Sequence, residues 1–331
     1  MEIERIGIVG GGAWGTALAT VAARTGHGVL VWARETEVVE AINRDHENTV
    51  FLPGVALDPA IAATSDLAAM GAPDALLLVT PAQAVADVAA RLAPVLDPAT
   101  PVVLCSKGLE QQTGRLMSEV FEAAVPGART LVLSGPSFAA DVARGLPTAV
   151  TLAGPDPDVV ADIAEALNPP TFRPYLSGDV IGAQIGGAVK NVLAIACGIV
   201  AGRALGASAA AALITRGFAE MVRFGTAHGA DAATMNGLSG LGDLVLTCSS
   251  PQSRNMSLGM ELGRGRGLAD VLGERNSVSE GVYSAASIAV AADRLGIDMP
   301  ICRAVDHILN HGADIDHTIA ALLNRPLKAE D

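Results

Sequence analysis

A few charges isolated in apolar or glycine-rich surroundings mark where this sequence could do chemistry. Residues 181–202 are apolar on every side of a helix, and their one charge is Lys190, followed by Asn191. A helix of that kind belongs in a core. A buried lysine is costly unless paired, and burial lowers its pKa toward the range useful for general acid–base work or for polarising a carbonyl oxygen. The plainer alternative is a lysine reaching out from a helix edge. Between Asp231 and Glu261 only Asp243 and Arg254 are charged. Asp243 follows the glycines of GLSGLG and precedes an apolar run, and as a partner for Lys190 it would satisfy both charges. Arg254 stands in Ser253-Arg254-Asn255, where guanidinium, amide and free N–H groups at a helix start would receive a phosphate. A surface loop with an ordinary serine cap is the alternative there. Lys107 is the only charge between Asp97 and Glu110.

Such residues need a scaffold. Residues 5–9, 29–32, 75–79, 102–105, 131–133 and 149–152 are short aliphatic runs that read as buried strands. Stretches of helical period lie between several of them, at 13–25, 84–96 and 115–124. This alternation predicts a doubly wound parallel sheet. From about Ser177 strand signals vanish, and long Ala/Gly/Ile helices follow at 180–202 and 208–228. The expected fold class is therefore α/β, with a Rossmann-type sheet domain at 1–180 and an all-α domain at 181–331. Two loops, Cys105-Ser106-Lys107-Gly108 and Ser134-Gly135-Pro136-Ser137, follow strands. That is the carboxyl edge, where open α/β sheets bind ligands.

Gly10-Gly11-Gly12-Ala13-Trp14-Gly15 lies on the same edge, between the first strand and a helix, with Gly10, Gly12 and Gly15 at the positions of GxGxxG. The first glycine permits a tight turn, the second lets backbone approach a pyrophosphate, and the third allows close helix–strand packing. In this strand–loop–helix context the loop predicts a bound dinucleotide. The second strand ends Val31-Trp32-Ala33-Arg34-Glu35. An acid at such a tip bonds the ribose 2′-hydroxyl of NAD, whereas an arginine receives the 2′-phosphate of NADP. Arg34 comes first and favours NADP. NAD stays open, because Arg34 could instead pair with Glu35 in solvent.

Composition excludes other classes. With 22 basic and 35 acidic residues the net charge is −13, which repels phosphodiester backbones and anionic lipid, so no nucleic-acid or membrane partner is expected. Aromatics are only 3%, too few for a base-stacking platform. Cys105, Cys197, Cys248 and Cys302 form no CxxC pair and read as reduced, buried thiols. His307 and His311 are spaced i, i+4 but lack an HExxH pattern, so they read as helix-surface residues and no metal is expected. The start, MEIERIGIVG, is acidic and soon becomes a strand, unlike a secretory signal. The most apolar stretch, 191–202, is shorter than the roughly 20 residues that span a bilayer. The polar end, 328–331, is expected to fray.

Seven segments, in order, resemble the bacterial NAD(P)-dependent glycerol-3-phosphate dehydrogenase family over nearly the whole chain: GGGAWGTALA, FLPG, SKGLE, GPSFAADVARGLPTAV, GAVKNVLAIACGI, GLSGLGDLVLTCSSPQSRN and SVSEGV. The lysine–asparagine pair in an apolar helix and the GLGDL…SRN segment are the specific ones. The resemblance implies interconversion of glycerone phosphate and sn-glycerol 3-phosphate by hydride transfer with NAD(P)H, in a cytoplasmic homodimer that supplies phospholipid synthesis. It implies Lys190 as the catalytic proton donor or acceptor. It implies that Lys107, Gly135, Ser137, Asp243, Ser253, Arg254 and Asn255 contact glycerol phosphate, and that Ala13, Trp14, Arg34, Phe51, Lys107, Ala139, Arg254, Val278 and Glu280 contact the dinucleotide. Ala13 stands where the family commonly has serine or threonine, Phe51 where it often has tyrosine, and Asp141 where it commonly has glutamate. The alternatives are a related two-domain dehydrogenase for another small anionic hydroxy or keto substrate, which would not need the SRN cluster, and a non-catalytic dinucleotide sensor, which would not need to bury Lys190.

Overall fold

The computed structural model of this chain describes residues 2–274 and 279–327. The first half runs β1 (Arg5–Val9), α1 (Ala13–Arg24), β2 (Gly28–Trp32), α2 (Thr36–Asp45), β3 (Glu47–Asn48), β4 (Leu52–Ala56), β5 (Ile61–Thr64), β6 (Ala75–Leu78), α3 (Val85–Leu92), β7 (Pro101–Leu104), α4 (Met117–Ala124), β8 (Arg129–Ser134), α5 (Ala139–Ala143), β9 (Thr148–Ala153), α6 (Pro157–Ala166) and β10 (Phe172–Ser177). The second half is helical: α7 (Val180–Gly202), α8 (Ala207–Ala227), α9 (Ala232–Met235), α10 (Asp243–Ser249), α11 (Arg254–Gly263), α12 (Leu268–Gly273), α13 (Glu280–Leu295), α14 (Pro300–His311) and α15 (Ile315–Leu323). This is the expected class, a Rossmann-type sheet followed by helices.

Eight strands form one sheet in the order β10-β9-β8-β7-β6-β1-β2-β5. Strands β6, β7, β1 and β2 are aliphatic and almost wholly buried, as expected where helices cover both faces of a parallel sheet. The chain leaves β1 toward β2 and later returns to pair β6 on the other side of β1. That reversal opens a crevice at the carboxyl ends of β1 and β6, the usual ligand position in such sheets. The sheet is not wholly parallel, because β8 and β9 run antiparallel. Their connection holds only the five-residue α5, which packs on α1 and does not carry the chain back across the sheet. β5 and β10, unseen in the sequence, are the edge strands. One is short and alanine-rich; the other contains Pro174, which an edge tolerates.

α7 is the axis of the second half, with residues 182–200 buried among α8, α10, α11, α13 and α14. At 23 residues it is longer than its most apolar stretch suggests, and by length and composition it could cross a membrane. Here other helices cover it. Glycine makes the packing close: a Cβ on Gly198 would lie 2.1 Å from the Met256 carbonyl oxygen, and one on Gly259 2.1 Å from that of Ile195. The low aromatic content is thus met by thin helices whose backbones nearly touch. Glu220 of α8 is buried as well. It accepts from the Ile301 and Cys302 N–H groups, and so satisfies the first turn of α14.

Candidate active site

Lys190 and Asp243 meet in the core of the helical half. Asp243 opens α10 directly after a π-helical turn, Leu238–Gly242. Glycines let that turn lie against α7: a Cβ on Gly186 would be 2.2 Å from the Ser239 carbonyl oxygen. Gly186 lies one helical turn before Lys190 on α7, so the packed turn brings Asp243 up to the lysine. Lys190 Nζ donates to Asp243 Oδ1 at 2.5 Å and to Thr247 Oγ1 at 3.0 Å. Lys107 Nζ, from the loop after β7, donates to Asp243 Oδ2 at 2.6 Å and to the Gly135 carbonyl at 3.1 Å. One fully buried carboxylate thus holds two ammonium groups. Burial pushes the pKa of Lys190 down to about 8, with Asp243 opposing the shift and Lys107 adding to it. The Lys190 side chain is 8% exposed and that of Lys107 17%, so Lys107 is the one nearer water.

A chain of amides runs from this cluster to α11. Asn191 Nδ2 donates to the Gly187 and Lys107 carbonyls, and Asn255 Nδ2 donates to Asn191 Oδ1 at 2.9 Å. Asn255 Oδ1 accepts from Gly281 N–H, at the start of α13. Ser253 caps α11, accepting from Met256 N–H. Arg254, the first residue of that helix, is exposed. Ser137 Oγ donates to the same Gly135 carbonyl that holds Lys107. Gly135 needs its φ of +151°, and a Cβ there would lie 2.9 Å from Val150 Cα. The expected substrate residues Lys107, Gly135, Ser137, Lys190 and Asp243 thus form one cluster. Asn191 links that cluster to Ser253-Arg254-Asn255.

The glycine loop faces the same crevice. Gly10 has φ +129°, a Cβ on Gly15 would lie 1.9 Å from the Gly10 carbonyl oxygen, and a Cβ on Gly12 would meet nothing within 4 Å. Gly10 and Gly15 close the turn, while Gly12 leaves an open approach to the N-terminus of α1, which no side chain caps. Ala13, Trp14, Phe51 and Ala139 lie half-buried against the sheet core beside it. Asn48 fixes this corner: its Nδ2 donates to the Gly11 carbonyl and Thr16 Oγ1, and its Oδ1 accepts from Phe51 N–H. Arg24 ties α5, with Ala139 at its start, to α1 through bonds to the Val142 and Ala143 carbonyls. Glu280 Oε1 accepts from Ala82 N–H after β6, so α13 reaches the sheet half. Burial pushes the Glu280 carboxyl pKa up, against that bond and the nearby Arg254 charge.

The site also holds unsatisfied polar atoms. Trp14 Nε1, Thr80 Oγ1, Ser279 Oγ, Glu280 Oε2 and Ser284 Oγ are buried and find no partner among the described residues. Buried polar groups are rarely left so. They flank the glycine loop, the end of β6 and the start of α13, so their chemistry fits a polar dinucleotide laid along the crevice. Val278 lies outside the described residues, as do residues 328–331. Arg34 is turned to Glu35, with its side chain 82% exposed, which is the pairing that left NAD open. His311 pairs with Asp306, and among the described residues no three potential ligands gather around a metal position. The four cysteines are buried and unlinked.

Sequence reasoning missed Thr247, Asn191 as a link, and Asn48. Thr247 had a usable signal, since a residue four places after Asp243 on a helix shares its face. Asn48 had none.

Models of the N-terminal and C-terminal parts of NAD-dependent glycerol-3-phosphate dehydrogenase match residues 5–160 and 179–320. The chain belongs to that family. A glycerol-3-phosphate dehydrogenase [NAD(P)+] of Parvibaculum lavamentivorans is 58% identical to it over 100% of this chain and 99% of the relative. One from Caulobacter vibrioides is 56% identical over the full length of both. The crystal structure of glycerol-3-phosphate dehydrogenase from Coxiella burnetii superimposes with a TM-score of 0.94, at 38% identity, over 98% of this chain and 99% of that one. Family membership thus covers both the glycine loop and the lysine–aspartate cluster.

Proposed function

We propose that this chain interconverts glycerone phosphate and sn-glycerol 3-phosphate with NADP or NAD. The observation that carries the reading is the buried cluster of Lys190, Asp243 and Lys107 beside the glycine-loop crevice. Bound NAD(P)H supplies the hydride to the carbonyl carbon. Lys190 Nζ gives a proton to the oxygen as negative charge develops there. Asp243 holds Lys190 in place and supports its charged form, while Lys107 adds a second positive group next to the reacting oxygen. Ser253, Arg254 and Asn255 hold the phosphate, so binding energy far from the carbonyl fixes the geometry at it. Gly10, Gly12 and Gly15, with Ala13, Trp14, Phe51, Ala139 and Glu280, would hold the dinucleotide; Arg34 would stand at its adenosine ribose. A non-catalytic sensor has no use for two lysines on one buried aspartate.

The same reading divides the chain into a dinucleotide-binding domain, 1–180, and a substrate domain, 181–331. Support comes from the last strand ending at Ser177 and the first long helix starting at Val180. Family resemblance supports a cytoplasmic homodimer whose product feeds phospholipid synthesis. The burial of α7 argues against a membrane partner and the net charge of −13 against a nucleic acid. Following NADPH and NADH absorbance with glycerone phosphate, and with a panel of other ketones and keto acids, tests the reaction. Turnover of a keto acid in preference to glycerone phosphate would overturn it.

Two further results are expected. Reduction needs protonated Lys190, so its kcat/KM should fall as pH rises through about 8. Oxidation needs the neutral amine, so its kcat/KM should rise through the same range. A flat profile from pH 6.5 to 9.5 in both directions would remove Lys190 from the proton transfer. For Arg254→Ala, a lost charge-assisted contact of about 1.5–3 kcal/mol should raise KM for glycerone phosphate by roughly tenfold to a hundredfold. At saturating NADPH, dihydroxyacetone turnover should change by less than about threefold, since that substrate lacks the phosphate. Equal losses on both would place Arg254 elsewhere.

A further inference from the structure

Where β2 passes into α2 the chain carries both groups that tell the two dinucleotides apart. At such a strand tip an acid bonds the ribose 2′-hydroxyl and an arginine receives a 2′-phosphate. Here the two are neighbours and are bonded to each other. Arg34 Nε and Nη2 both donate to Glu35 Oε1, at 3.1 and 2.8 Å. Glu35 Oε2 accepts no hydrogen bond among the described residues. Glu35 is also the N-cap residue of α2, yet its side chain caps no backbone N–H. The carboxylate is therefore engaged with Arg34 and does not hold the helix. With side chains 82% and 30% exposed, the pair is weak enough to exchange Glu35 for a better anion.

We propose that Glu35 sets the cofactor preference of this chain by competing internally for Arg34. The proposal rests on the dinucleotide reading above. A 2′-phosphate, carrying nearly two negative charges, draws Arg34 away from Glu35 and then lies beside that carboxylate. Its attraction to Arg34 is offset by repulsion from Glu35. A 2′-hydroxyl leaves the ion pair intact and donates to the open Oε2. The two effects level the affinities for NADP and NAD, so a chain with an arginine at this tip still accepts both.

Calorimetric titration with 2′,5′-ADP and with 5′-AMP isolates the adenosine ends of NADP and NAD and needs no turnover. Glu35→Gln should fold normally, because Glu35 caps nothing. It should tighten 2′,5′-ADP about fivefold or more, the worth of an exposed pair at the upper end of its range. It should weaken 5′-AMP about threefold through the poorer acceptor. Arg34→Gln should weaken 2′,5′-ADP about tenfold or more and leave 5′-AMP within about twofold. If the wild-type protein binds both nucleotides and Glu35→Gln leaves their ratio unchanged, the proposal is overturned alone. If the wild-type protein binds neither, the dinucleotide reading is overturned and the proposal with it.

Discussion

Replacing Lys190 by methionine is expected to lower kcat for glycerone phosphate reduction by about 10³-fold or more, with NADPH still bound and the fold intact. Hydride transfer to a ketone leaves an alkoxide, which needs a proton or a positive partner in the transition state. General acid catalysis is typically worth about 10²–10⁴-fold, and lost electrostatic stabilisation of the oxygen adds to it. Lys107 stays on Asp243 and supplies some of that charge, which sets a floor under the loss. Stability follows from counting charges. The wild-type cluster holds two ammonium groups on one carboxylate. Removing one of them leaves a neutral Lys107–Asp243 pair at 2.6 Å and not an orphaned charge. The usual cost of breaking a buried pair, about 3–5 kcal/mol, comes from a charge left uncompensated, and none is left here. Methionine also keeps the length and apolar contact of the lysine stem among residues buried on all sides. The melting temperature should therefore be unchanged or raised. Single-turnover absorbance and thermal denaturation check the two halves; a variant retaining more than a tenth of wild-type kcat would exclude Lys190 as the acid.

How much of this was legible depends on what each feature owes to its own neighbours in sequence. The buried parallel strands are continuous aliphatic runs, so β1, β2, β6 and β7 could be read directly, and α7 announces itself by being apolar all round. The glycine loop was readable because its demands are largely local: Gly10 takes a positive φ, a Cβ on Gly15 would strike the Gly10 carbonyl oxygen, and Gly12 leaves the helix start open. A lone charge in an apolar segment also betrays itself, because burial without a partner is costly. Hence Lys190 and Asp243 could be paired across 53 residues from their apolar surroundings alone. Edge strands give a weaker signal: β10 buries fully only Phe172 of its six residues. The reversed direction of β9 depends on α5 packing against α1, a tertiary event. The amide chain through Asn191 and Asn255, and the clasp of Asn48 on the glycine loop, join segments 64 and 37 residues apart. The apolar helix marks Asn191 as buried but does not name its partners, and asparagine is common in surface turns, so nothing local marks Asn48 or Asn255 as a buried link.

Asp243→Asn should be the more damaging change to the fold, and it should also slow the reaction. Asp243 is fully buried and accepts from a lysine on each oxygen. An amide offers one oxygen and one NH₂ group, so whichever way it turns, a donor faces an ammonium. Two positive groups then share a site without a counter-charge, at a cost of up to about 3–5 kcal/mol. Lys107 can relieve part of this by moving toward water, since its side chain is 17% exposed. Lys190, at 8%, has no such route and must discharge. The sign follows from the wild-type balance: burial lowers the Lys190 pKa to about 8 while Asp243 opposes that shift. Without Asp243 the pKa falls further. At pH 7.5 the variant should therefore lose both the positioned acid and its proton, with kcat for reduction down by about 10²–10⁴-fold. Because the missing proton can be restored from solution, activity should recover in part as pH is lowered, and the midpoint of the pH–rate profile should sit below that of the wild type. Denaturant unfolding should show a clear loss of stability, and it should shrink when Lys190→Met is added, because the double variant has only Lys107 left to accommodate. An unmoved midpoint together with unchanged stability would mean that Asp243 neither supports the charge of Lys190 nor holds the two lysines in the core.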